Sequence, residues 1–255
     1  MSFSGGVDAY DRFMGRYSGP LASSFADLVA IDAGHRVLDV GCGSGALTRE
    51  LGRRVGFASL SAIDPSPTMV AGTRMRFPGL DIREASAEAL PFADHTFDAV
   101  FAQLVVHFMA DPVAGLREMA RVTRLGGAVA ACVWDQAGGT GPLAAFWTAA
   151  LELDATAADE SNLPGTREGH LGDLARDAGL EVVLEKALTI VVEHPTFEDW
   201  WEPYTFGVGP AGAYLAGLDP QQQGALRERC RAMFPNEPFS LTAQAWAVSA
   251  LVSSG

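Results

Sequence analysis

The chain has 255 residues, 48% of them hydrophobic, and a formal net charge of −13. A chain of that length buries one sizeable core, no apolar stretch reaches the roughly 20 residues of a helical membrane span, and scattered Lys and Arg on so acidic a chain argue against a nucleic-acid partner. No linker or repeat divides it, the amino terminus around Asp8 and Asp11 lacks the apolar core of a signal peptide, and Cys42, Cys132 and Cys230 have no metal-ligand spacing, so the expectation is one cytoplasmic domain with reduced thiols, no membrane contact and no metal.

In chain order, apolar periodicity predicts a helix over about 7–30 and a buried strand over 35–40 that ends on glycines at alternate positions. Gly41, Gly43 and Gly45 then lead into a helix over 45–54. Without Cβ atoms these glycines let the backbone turn at positive φ and let a ligand lie on main-chain N–H groups, so a nucleotide-like ligand is expected. Cys42, inside the turn, either fills space or touches that ligand. Asp39 precedes the first glycine by two residues; it can hold an ammonium or sulfonium and would repel a pyrophosphate, its alternative role being a cap for the turn. Gly41-x-Gly43-x-x-Ala46 also satisfies the looser dinucleotide pattern, so a nicotinamide-dependent oxidoreductase stays open here.

Strands over 58–63, 80–84 and 96–102 and helices over 66–75 and 112–123 follow. Next come a strand over 127–134, a helix near 142–153, an irregular acidic stretch, and a helix from Arg167 to Ala178 stopped by Gly179. Two long strands, 182–192 and 239–250, close the chain. The fold class is therefore α/β: a doubly wound, mostly parallel seven-stranded sheet with an antiparallel edge strand, and a helical cap, residues 195–238, inserted between the last two strands. Ligands of such sheets sit at the carboxyl ends of the parallel strands, where Gly41, Asp64, Ser86 and Gln103 would converge.

Val37-Leu38-Asp39-Val40-Gly41-Cys42-Gly43-Ser44-Gly45 resembles the first motif of the class I S-adenosylmethionine-dependent methyltransferases, and further matches follow in order. Ser61-Ala62-Ile63-Asp64-Pro65-Ser66 resembles the end of the second strand, which implies that Asp64, with Pro65 beside it, takes both ribose hydroxyls; a carboxylate suits a vicinal diol because it offers acceptors only. Ser86-Ala87-Glu88-Ala89-Leu90-Pro91-Phe92 is similar to the adenine segment, with Ser86 where Asp is usual, so the adenine amino contact passes to Glu88 or to a backbone carbonyl. Thr96 to Gln103 looks like the fourth strand, which puts the Gln103 main chain against the methionine part of the cofactor. His107-Phe108-Met109-Ala110-Asp111-Pro112 resembles the family's His-x-x-x-Asp-Pro loop. Tyr10 to Ser18 looks like the helix that closes over the cofactor in the small-molecule, type 11-like branch, and implies that Arg16 or Tyr17 meets the methionine carboxylate. Phe239 to Val248 is similar to that branch's last strand.

The resemblance implies S-adenosylmethionine as cofactor and methylation of a small, partly apolar organic acceptor on O, N or C, the alternative being a non-catalytic binder of the same fold. Partners are then a small-molecule acceptor, with no nucleic acid and a homodimer left open. His107 is the candidate general base, needed only if the nucleophile arrives protonated; otherwise it is a loop histidine bonded to backbone. The cap carries Trp200, Trp201 and Tyr204, and adjacent tryptophans on a short helix cannot face the same side, so one is expected in the core and the other at the acceptor, the alternative being two core aromatics that anchor the insertion. Trp134, ending the fifth strand, is the other acceptor contact; Asp135 next to it either joins in or caps the turn.

Overall fold

The computed structural model describes residues 11–234 and 236–253. Tyr10, Asp8 and the first turn of the helix expected from residue 7 lie outside them. Asp11–Gly15 form a π-helical turn that runs into α1, Arg16–Ala26. The rest alternates: β1 Val37–Val40, α2 Ala46–Val55, β2 Leu60–Asp64, α3 Pro67–Arg76, β3 Asp81–Glu84, β4 Phe97–Gln103, α4 Pro112–Val122 and β5 Thr123–Trp134. Then come α5 Ala144–Leu153, α6 His170–Asp177, β6 Glu181–His194, α7 Phe197–Trp201, α8 Gly209–Gly217, α9 Pro220–Met233 and β7 Phe239–Leu251.

The sheet order is β3-β2-β1-β4-β5-β7-β6. β1 to β5 pair in parallel, whereas β7 runs antiparallel between β5 and β6 and leaves β6 at the edge. The strand order reverses between β1 and β4, so their carboxyl ends diverge into a crevice. β5 starts at Thr123, earlier than the periodicity suggests, because Thr123 pairs with Phe97 before the register shifts and resumes at Ala128 opposite Ala99.

Both faces of the central strands are covered, β6 at the edge being largely exposed, and the period of two sorts the residues. Leu38, Val40, Val100 and Ala102 face one core with Leu116 and Met119 of α4. Val37, Ala99 and Phe101 face the other with Leu21 and Phe25 of α1 and Leu47 and Leu51 of α2. Asp39 falls on that second face among apolar residues, so a carboxylate there is expensive unless bonded. Helix starts are chemically marked. Asp111 accepts the N–H of Ala114 at 2.9 Å and Asp219 that of Gln222 at 2.9 Å, each side chain satisfying an amide that the first helical turn leaves unpaired. Among the described residues no helix is long and apolar enough to cross a membrane.

Candidate functional site

The glycine turn is fixed by backbone and side chains together. The N–H groups of Gly41 and Cys42 both donate to Ile63 O at 2.9 Å, which ties the turn to the end of β2. Gly41 has φ +70°, and a Cβ there would lie 2.5 Å from Val105 Cγ2, so no other residue fits. Gly43 is different: its φ is +52° and nothing stands within 4 Å of where a Cβ would be, which leaves the space beside its Cα open, while its carbonyl accepts the Thr73 hydroxyl at 2.7 Å. Asp64 Oδ2 accepts the N–H of Gly43 and Oδ1 that of Ser66, each at 2.8 Å. Behind them Asp39 is buried and accepts the Thr48 hydroxyl at 2.6 Å. Burial pushes the Asp39 carboxyl up to about 7, the Thr48 hydrogen bond opposing and the Asp64 charge adding to the rise. Burial also raises Asp64, against the pull of its two N–H donors.

These residues wall a cleft of about 410 Å³ that Ser18, Asp39, Gly41, Cys42, Gly43, Asp64, Pro65 and Gln103 line together. Gln103 Nε2 donates to Ser18 O at 3.0 Å and so holds α1 over the end of β4. Gln103 Oε1 and Ser18 Oγ are buried without a hydrogen-bond partner among the described residues. Two orphaned polar atoms, two carboxyls and the open space beside Gly43 make a cradle for a polar ligand with cationic and hydroxyl groups.

A second, narrower slot of about 40 Å³ adjoins the cleft, Leu104 and Phe108 lining both. Leu104 sits at φ +61°, a left-handed conformation rare for a branched side chain, in the wall the two cavities share. Phe13, His107, Trp134, Glu160, Val208 and Pro210 line the slot. His107 Nδ1 and Trp134 Nε1 have no partner among the described residues. Burial drives His107 down to about 3, so the imidazole is neutral and a poor proton acceptor. Glu160 is 4% exposed, and burial pushes its carboxyl up to about 7 although Trp147 Nε1 donates to it at 3.2 Å.

Several expected residues stand elsewhere. Arg16 pairs with Asp199 Oδ2 at 2.7 Å, and the Tyr17 hydroxyl meets His194 Nε2 at 3.0 Å, so both fasten α1 to the end of β6 instead of facing the cleft. Helical phase is the reason: the neighbour Ser18 takes the inward position. Ser86 is exposed and donates to Glu88, whose Oε1 accepts Ala110 N at 2.8 Å, while Ala87 is packed in the core; none of the three lines the cleft. Gly45 is the N-cap of α2, off the cleft wall. Trp200, Trp201 and Tyr204 are all buried, and the expectation that one tryptophan faces the acceptor fails. Their rings pack with Phe146, Phe197 and Phe234, an aromatic core that both tryptophans can join because α7 meets β6, the Phe146 ring of α5 lies against Trp201, and Arg227 and Arg231 of α9 reach Glu198 and Phe197. The cap reaches the slot through Val208, Gly209 and Pro210. Asp135 caps its turn, accepting Gly138 N at 2.8 Å and the Thr140 hydroxyl at 2.6 Å. Sequence reasoning missed Ser18 and Glu160. Ser18 lay within a quoted motif and helical phase could have found it; Glu160 stands in an aperiodic acidic loop that carries no signal.

The family model described as a methyltransferase domain matches residues 38–131. Malonyl-[acyl-carrier protein] O-methyltransferase of Halorhodospira halophila is 41% identical over 97 residues, 37% of this chain and 33% of that relative. The chain thus spans about a third of that relative's length, and 52% of the length of a second, from Mycobacterium bovis. Among solved structures, the [4+2]-cyclase SpnF superposes with a TM-score of 0.59 at 21% identity, over 92% of this chain and 81% of that one. Haemonchus contortus phosphoethanolamine N-methyltransferase 2, solved with phosphomonomethylethanolamine and S-adenosylhomocysteine, gives a TM-score of 0.59 at 16% identity over 97% and 57%. At such identities the two structures share the fold. Residues 38–131 hold the glycine turn, Asp64 and Gln103, so the stretch that matches the methyltransferase-domain model is the one that builds most of the cleft.

Proposed function

We propose that the protein binds S-adenosylmethionine in the cleft and catalyses methyl transfer to a small, partly apolar organic acceptor held in the adjoining slot. The observation that carries this reading is the cleft's polar inventory: Asp39, Asp64, Ser18 Oγ and Gln103 Oε1 around the open space beside Gly43. Two buried carboxyls repel a pyrophosphate and attract a ligand bearing ammonium and sulfonium charge, which disfavours the dinucleotide reading of the same glycines. In this reading Asp64 holds the ribose diol and Gln103 with Ser18 holds the amino-acid end. The bound sulfonium supplies an activated methyl group. What the chain contributes is positioning and exclusion of water: Leu104 and Phe108, which line both cavities, border the place where cofactor and acceptor would meet, and apolar walls from Phe13, Trp134, Val208 and Pro210 hold the acceptor. Residues 195–238 act as a cap on one domain, and the net charge of −13 supports a small-molecule acceptor over nucleic acid in a cytoplasmic setting.

Calorimetric titration with S-adenosylhomocysteine and with NADH tests the cofactor, and binding of NADH alone would defeat the reading. A second reading, a different chemistry on the same fold, is favoured by one neighbour, the [4+2]-cyclase SpnF. Labelled S-adenosylmethionine incubated with a metabolite extract separates the two, since a labelled product appears only with methyl transfer.

A further inference from the structure

Glu160 has no role in the glycine-turn site and no counterpart among the residues the sequence singles out. It is nevertheless a carboxyl, 4% exposed, in the wall of an otherwise largely apolar slot, and the slot shares Leu104 and Phe108 with the cleft. We propose that Glu160 is the proton acceptor for a protic acceptor molecule, one that presents an N–H or O–H nucleophile on an apolar body. This rests on the cleft's binding S-adenosylmethionine.

Three observations converge on it. Trp147 Nε1 donates to Glu160 Oε2 at 3.2 Å, fixing the carboxyl by one oxygen. Two further polar atoms of residues lining the slot, Trp134 Nε1 and His107 Nδ1, are buried and unpartnered among the described residues, so they too point to a ligand with polar atoms of its own. And the division of labour favours the carboxyl over the imidazole: burial takes His107 down to about 3, while the same burial brings Glu160 up to about 7, where a proton is both taken and returned near neutrality. The ionisable groups around Glu160 among the described residues are Asp159, whose charge adds to the rise, the buried hydroxyl of Tyr204, and His107 across the slot.

The balance of the step is simple. A lone pair of the acceptor's N or O forms the bond to the methyl carbon, the carbon–sulfur pair stays on sulfur, and the N–H or O–H proton passes to Glu160. The resulting neutral carboxylic acid returns that proton to solvent when product leaves. An aprotic nucleophile, such as a tertiary amine, has no proton to give and gains nothing from Glu160. As it stands the slot, at about 40 Å³, admits a few heavy atoms; Gly207 and Gly209, at φ +69° and +66°, flank the Val208 wall where it can widen.

The test uses the full chain and its Glu160→Gln variant, in which the amide oxygen still accepts from Trp147. Phenol, benzylamine and aniline serve as protic probes and N,N-dimethylaniline as the aprotic one, each with labelled S-adenosylmethionine. Labelled product is expected from at least one protic probe, and kcat on it should fall by about 100-fold or more in Glu160→Gln with S-adenosylhomocysteine affinity unchanged, whereas any turnover of the aprotic probe, which needs no base, should be the same in both proteins. The wild-type rate should rise with pH through about 7 and this limb should vanish in the variant. Independently of turnover, carbon-13 NMR of labelled glutamates should show one carboxyl titrating near 7 that is missing in Glu160→Gln and shifts when a protic probe binds. Glu160→Asp, with the carboxyl retracted, should keep the pH limb at a lower rate. A Glu160→Gln variant at wild-type rate on every protic probe, a Glu160→Gln loss just as large on the aprotic probe, or no turnover of any protic probe by a protein that binds S-adenosylhomocysteine overturns the proposal. Failure to bind S-adenosylhomocysteine overturns instead the cofactor reading beneath it.

Discussion

Asp64 accepts the main-chain N–H of Gly43 through Oδ2 at 2.8 Å, so the carboxylate that ends β2 also shapes the glycine turn that ends β1. Its Oδ1 is anchored in turn by Ser66 N, which aims the remaining lone pairs of both oxygens at the cleft.

The first prediction follows from that double duty. Asp64→Ala should weaken S-adenosylhomocysteine by about 1.5 to 3 kcal/mol, roughly 10- to 150-fold, the range for hydrogen bonds to a charged group. Asp64→Asn retains an acceptor for Gly43 N and should keep the turn while losing part of the affinity. Calorimetry on variants with wild-type circular dichroism checks both, and undiminished affinity in Asp64→Ala would put the diol elsewhere.

Asp39 should couple cofactor binding to proton release. Burial raises its carboxyl to about 7, so near neutrality it is partly protonated, and a cation brought into the cleft favours the ionised form. Binding of S-adenosylmethionine at pH 7 should therefore release a fraction of a proton, measured as a dependence of binding enthalpy on the buffer's ionisation enthalpy, and Asp39→Asn should abolish it. The sign for stability is the reverse of an ordinary paired carboxylate. A raised folded value means that the contribution is present below about 4 and is lost as pH rises through about 7. Asp39→Asn should accordingly raise the thermal midpoint more at pH 8 than at pH 5.

The cap should divide into a structural part and a wall. Trp200→Ala and Tyr204→Ala each empty a fully buried aromatic site and should cost about 3 to 5 kcal/mol of stability, with binding and turnover falling together. Val208→Ala, which faces the slot, should instead change KM or acceptor preference with little effect on S-adenosylhomocysteine. Chemical denaturation and steady-state kinetics separate the two outcomes, and a Trp200→Ala variant of wild-type stability with altered KM would restore the tryptophan to the acceptor wall.

Acid should attack through buried neutral histidines. His107, held down to about 3, contributes stability that is complete above its ordinary value of about 6.5 and is lost as pH falls towards 3, because the unfolded chain takes up the proton first. His194, buried between Tyr17, Arg16 and Asp199, is lowered by burial and acts in the same direction. Asp39, Asp64 and Glu160, all raised, push the other way, so the difference between wild type and His107→Asn is the informative quantity. That variant should lose less stability between pH 6.5 and 4 than wild type, as read by urea denaturation. Parallel pH profiles would show that His107 is charged in the folded protein.

The sequence by itself determined the alternation of strands and helices, because burial on both faces of a sheet writes continuous β-branched runs and amphipathic helices into the chain, and it marked the glycine turn, Asp39, Asp64 and Gln103, whose roles are local to a strand end. Gly41 is legible for the same reason: only glycine combines φ +70° with a Val105 side chain 2.5 Å from its Cβ position. What tertiary structure alone decided was which side chains of the less regular segments face inward. Arg16 and Tyr17 differ from Ser18 by a rotation of roughly 100° per residue around α1, and only the packing of α1 against β6 says which of the three meets the cleft. Trp200 and Trp201 look alike as cap aromatics until α5 and α9 close around them. Glu160 lies in a loop without period, so its place in the wall of the slot depends on contacts with Trp147 and across to His107, long-range relations that no local pattern encodes.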